Sequence, residues 1–176
     1  MHGLLAKVAH INDDNTRAWE HAPAAQALMR DSDTTAQYVL EGYAGVAEFA
    51  HGLLKANKAD SEARELYRMS VDALAMFAKL YPLGRPLYHL CHGQQQWYAG
   101  AEDDARATWL AGLDHADQLQ IGYEMSQLHS HLADHAVTKD EAKRHYVFAR
   151  TYEGEARATD DGNDVLDKVT KTILWI

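Results

Sequence analysis

The sequence predicts an all-α chain built as an array of stacked helical hairpins. Three observations carry that expectation. Helix-favouring residues run from end to end, Ala is conspicuously frequent, and no segment alternates apolar and polar residues with the period of a strand. The breaks between apolar-periodic runs are short and polar, which leaves neighbouring helices antiparallel. One short pattern also recurs along the chain at the spacing of a hairpin repeat.

The breaks set the elements in order. Asn12–Asn15 separates helices expected at 2–11 and 16–30, and Asp31–Thr34 precedes one at 34–56. Asn57–Asp60 and Ser61 with Glu62 start the next, 60–80, and Tyr81–Gly84 ends it. Helices over 85–99 and 102–119 meet at Ala99–Ala101, and Gln120–Gly122 opens 122–136. Thr138 with Glu141 fits a capping box for 139–158, and Thr159–Gly162 divides that helix from a ninth at 163–175.

The recurrent pattern is acid, Ala, base, two variable residues, aromatic. It reads Glu62-Ala63-Arg64-Glu65-Leu66-Tyr67, then Asp104-Ala105-Arg106-Ala107-Thr108-Trp109, then Glu141-Ala142-Lys143-Arg144-His145-Tyr146. The acid suits the positive end of the helix dipole. The Ala admits a neighbouring helix, and the aromatic four residues on shares its face and fills the gap between hairpins. A hairpin cannot bury its apolar face alone, so hairpins of this kind stack. One domain over 1–176 is expected, with a repeat core of about 34–158. The stripe Val165, Leu166, Val169, Ile173, Leu174, Trp175 and Ile176 makes the helix at about 163–175 a cap for the array or a homodimer contact.

Composition excludes several classes. A chain of 176 residues with 3 Pro and 11 Gly is neither collagen-like nor low-complexity. No run of 18 apolar residues exists to span a membrane, and the first residues lack the pattern of a secretory leader. The single Cys91 cannot form an internal disulfide, which predicts a cytoplasmic protein. A net charge of −9 argues against nucleic-acid binding.

Histidine is the residue type with chemical potential, at 11 in the chain. His89, His92, His115, His129, His131 and His135 lie within 86–138, a window whose only Lys or Arg is Arg106. His131 and His135 stand four apart on one helix face, as two metal ligands would. Yet there is no His-Glu-x-x-His, no cysteine pair and no repeated Glu-x-x-His, so no metal or other cofactor is expected, and any metal would fall on His131 and His135. Cys91 reads as a packing residue, and Ser126 and Ser130 form no nucleophile elbow.

Four longer segments carry a resemblance. They are Tyr38 to Glu48, Tyr81 to Pro86, His92 to Gly100 running into Ala105 and Trp109, and Ala116 to Glu124. Together they resemble the C-terminal tetratricopeptide-like region of large bacterial signalling ATPases associated with adenylate cyclase or LuxR-type regulators, over roughly residues 30–150. The chain departs from them in having no Gly-x-x-x-x-Gly-Lys-Ser/Thr phosphate loop and in reading Leu128-His129-Ser130-His131 where the family region has Leu-Gly-Arg-His. What the resemblance implies is therefore a scaffold without the family's catalysis. In its register Ala63, Ala105 and Ala142 are the small positions, and His89 and His92 belong to the core. The concave, partner-facing positions fall on Glu48, Lys55, Gln94, Trp97, Tyr98, Glu124, His131, Asp134 and His135.

The expected function is a non-enzymatic interaction module of bacterial signalling or regulation, taking a protein or peptide partner. The competing expectations are a small helical metal-binding protein or enzyme using the His-rich region 86–138, and a small-molecule pocket walled by Trp97 and Tyr98.

Overall fold

The structure, a computed structural model, describes residues 2–31 and 40–161. Among them are eight α-helices, a single 3-10 turn and no strand. The helices are α1 (His2–Ile11), α2 (Asn15–Asp31), α3 (Leu40–Ala56), α4 (Ser61–Leu80), α5 (Arg85–Tyr98), α6 (Glu102–Leu119), α7 (Gly122–Asp134) and α8 (Lys139–Asp161); Pro82–Gly84 forms the 3-10 turn before α5. The all-α expectation holds, and eight of the nine expected helices are present with boundaries shifted by a few residues. The ninth, at 163–175, lies outside the described residues, as do positions 34–39 of the third.

Local chemistry sets the helix ends. The cap of α4 is Asp60, one residue before the expected Ser61: its carboxylate accepts from the Ala63 amide at 2.9 Å. At α8 the Thr138 hydroxyl accepts from the Glu141 amide at 3.2 Å, while the Glu141 carboxylate accepts from the Val137 amide at 3.1 Å. The return arm of the capping box thus lands one residue early. Asp13, Gly100 and Gln120, with φ of 60°, 82° and 55°, take the left-handed conformation in the turns after α1, α5 and α6.

The chain divides into two compact units, residues 1–115 and 116–176. In the first, α1 packs on α2 and α3, α2 on α3 and α4, α3 on α4, and α4 on α5. Val46, Phe49, Leu54, Leu66, Leu74 and Phe77 fill the centre, and Trp19 meets Phe49 edge-on with centroids 5.3 Å apart. Glycines let α1 approach α3 closely: a Cβ at Gly3 would stand 2.0 Å from the Gly42 carbonyl oxygen, and one at Gly45 2.4 Å from that of Gly3. In the second unit α7 and α8 form a hairpin over Leu128, Leu132 and Ala149, tied by the Ser126 hydroxyl donating to the Ala149 carbonyl at 2.9 Å.

The recurrent small–aromatic positions divide two to one. Ala63 and Ala105 are fully buried, and so are Tyr67 and Trp109. Both aromatics anchor on α5: the Tyr67 hydroxyl contacts the Gln94 amide oxygen and lies 3.0 Å from the Cys91 carbonyl, and the Trp109 indole donates to the Leu90 carbonyl at 3.1 Å. The third pair departs from this. Ala142 is half-buried, and Tyr146 is 47% exposed, its hydroxyl donating to Asp134 at 2.6 Å.

Candidate functional site

Within the first unit, side chains from α1, α3 and α5 meet along one line of contacts. Lys7 on α1 donates to Glu48 on α3 at 2.9 Å. One turn along α3, His51 faces Tyr98 of α5 with ring centroids 5.8 Å apart, and Tyr67 of α4 at 6.0 Å. Glu48, His51 and Tyr98 are all half-buried, and burial pushes the Tyr98 hydroxyl above its ordinary pKa. The arrangement puts an ion pair and a pair of aromatic contacts within one turn of α3.

The other expected partner-facing residues of this unit scatter. Lys55 is exposed on the last turn of α3. Trp97 is half-buried and stacks on Trp109 with centroids 6.0 Å apart. Gln94 is buried, with its amide oxygen engaged by Tyr67, so it belongs to the interior rather than to a partner-facing surface. His51 and Lys7, which complete the contact line, were not among the expected site residues. The Lys7–Glu48 link joins positions 41 apart, beyond the reach of any helix periodicity.

The histidines of α5 are half-buried, between surface and core. His89 stacks on His115 of α6 at 5.1 Å, and His92 stacks on Tyr88 at 5.2 Å. Burial lowers the pKa of both, and His115, His92 and Arg85 lower that of His89 further, so the neutral imidazoles are favoured. Cys91 is buried, and desolvation pushes its thiol up to about 12, against the opposing hydrogen bond of Tyr67. A thiol held protonated in this way is a poor nucleophile, consistent with a packing role.

In the second unit, Glu124 is half-buried in the first turn of α7, and Asp134 is exposed and accepts from Tyr146. His131 and His135 stack with centroids 6.2 Å apart and planes at 21°. Among the described residues no three His, Cys, Asp or Glu side chains converge as a metal site. No sequence pattern links His129 with His145. They stand sixteen residues apart, centred on Val137, so the antiparallel hairpin brings them face to face with Nδ1 atoms at 2.8 Å.

An open groove of about 330 Å³ lies between α2 and α4, lined by Trp19, Pro23, Ser61, Glu62, Glu65 and Leu66. It is separate from Trp97 and Tyr98, the walls expected of a small-molecule pocket. Among the described residues, no helix is long and apolar enough to cross a membrane. No protein-family model, curated protein or solved structure matches the chain.

Proposed function

We propose that this chain is a non-enzymatic interaction module of tetratricopeptide-like helical hairpins, which takes a protein or peptide partner in bacterial signalling or regulation. The observation that carries the reading is the contact line of Lys7, Glu48, His51 and Tyr98 across α1, α3 and α5. In an array of hairpins the first helix of each pair lines one common surface, and here α1, α3 and α5 are those helices. The packing of α3 against both α1 and α2, and of α5 against α4, supports this reading. Buried Ala63 under Tyr67 and buried Ala105 under Trp109 support the same register. The exposed Tyr146 is its weakest member.

Apolar side chains left on the outside support an interaction role. Leu4, Val8 and Ile11 of α1 are exposed at helical spacing, and the adjacent Val147 and Phe148 of α8 are exposed as well. The experiment is affinity capture from the source cell with the full chain and with a Glu48→Lys, Tyr98→Ala variant whose circular dichroism and thermal midpoint match the native protein. Loss of a captured protein in the variant supports the reading. Identical capture by both, or by neither, counts against this surface.

A further inference from the structure

We propose that the His129–His145 imidazole pair is an acid-sensitive clasp between α7 and α8, one that keeps its bond with a single added proton and breaks with the second. The geometry dictates the proton count. At 2.8 Å between Nδ1 atoms there is room for one hydrogen, donated by one ring to the lone pair of the other. A first proton binds at Nε2 of the donor ring and leaves the bond in place, now charge-assisted. A second places an N–H on both facing nitrogens and two positive charges in contact, so the rings must part.

The surroundings make that second proton costly. His129 is buried, with its ring stacked on Phe148 at 5.1 Å and lying parallel to Tyr152 at 5.8 Å. Burial, and then the facing His145, push the His129 imidazole down to about 4. From α8, His145 and Tyr152 face it with ring centroids at 5.1 and 5.8 Å. The neighbouring carboxylates of the hairpin, Glu141 and Asp134, accept from the Val137 amide and the Tyr146 hydroxyl. Ser126, which ties α7 to the Ala149 carbonyl, lies one turn before His129 on the same helix, so the two contacts hold the same stretch of the hairpin.

Hydrogen exchange of the full chain tests the clasp. Protection factors of α7 and α8 amides, corrected for intrinsic exchange, are compared between pH 7.5 and pH 5 in the native protein and in His129→Phe, which keeps a ring between Phe148 and Tyr152 but cannot take a proton. Protection in the native hairpin is expected to fall on the order of tenfold over that range, and by less than about threefold in the variant, following the linkage between a lowered pKa and stability. An equal fall in both proteins, or none in the native one, overturns the proposal. Should the variant fail to fold, ¹⁵N imidazole shifts of the native chain decide: two well-separated titration steps for the pair support the clasp, and a single step near the ordinary histidine value of about 6.5 overturns it.

Discussion

The indole nitrogen of Trp109 stands where a side chain at position 93 would begin: a Cβ built on Gly93 falls 2.3 Å from Nε1. The same N–H donates to the Leu90 carbonyl at 3.1 Å. One turn of α5 thus supplies both the gap and the acceptor for a fully buried tryptophan. Gly93→Ala forces the indole off that carbonyl, and overpacking of this kind costs about 1–3 kcal/mol. The urea midpoint is expected to fall with an unchanged slope. Gly154→Ala is the control, because a Cβ there meets nothing within 4 Å, and a helical glycine replaced by alanine gains about 0.5–1 kcal/mol.

Tyr67 and Tyr146 occupy the same place in the recurrent pattern but not the same environment, and their phenylalanine variants should report it. Tyr67→Phe leaves the buried Gln94 amide oxygen without its hydroxyl donor, which costs about 1–3 kcal/mol. Tyr146→Phe removes a bond to the exposed Asp134 carboxylate, where water replaces the donor, so the cost stays below about 1 kcal/mol. Equal losses in chemical denaturation would mean that the two positions are packed alike.

The same contrast explains what the sequence made legible. Helix number and spans followed from polar breaks and apolar periodicity, because capping chemistry and burial are local in the chain: Asp60 lies one residue from where its cap was expected. The acid–Ala–base–aromatic pattern located Ala63, Tyr67, Ala105 and Trp109 in the core. It could not tell Tyr146 from Tyr67, since burial depends on which helix lies opposite. The site was less legible for the same reason. Gln94 has the composition of a surface amide yet is drawn inward by a tyrosine 27 residues away. His129 and His145 meet only through the register of a hairpin.

Acid should destabilise the protein before its carboxylates titrate. His89, His92 and His129 all have pKa values lowered by burial. In the unfolded chain these imidazoles take up protons near the ordinary value of about 6.5, while the folded chain resists. Their contribution is therefore complete above that value and is lost as pH falls through it, for His129 down to about 4. The urea midpoint is expected to drop between pH 7.5 and pH 5. Replacing His89 and His92 together by Gln should flatten the part of that slope that belongs to the first unit. A double variant with the native slope would show that these two rings titrate freely in the folded state.

The approach of α1 to α3 gives the sharpest local prediction. A Cβ on Gly3 would lie 2.0 Å from the Gly42 carbonyl oxygen and 2.9 Å from the Gly42 Cα. These are backbone atoms of a helix, so no rotamer change can move them aside. Gly3→Ala must push α1 away from α3, opening the contact that also aligns Lys7 with Glu48 at 2.9 Å. Backbone displacement of this kind costs about 1–3 kcal/mol, more than the helix propensity gained from alanine. Because α1 stands at the edge of its unit, the effect should appear first as local opening. Limited proteolysis in the α1–α2 turn at Asn12–Asp14 is expected to accelerate several-fold in Gly3→Ala, ahead of any change in global unfolding. Gly42→Ala on the facing helix provides the comparison, since a Cβ there meets nothing within 4 Å and cleavage should stay at the native rate. Native-rate cleavage in Gly3→Ala would mean that α1 and α3 do not approach this closely.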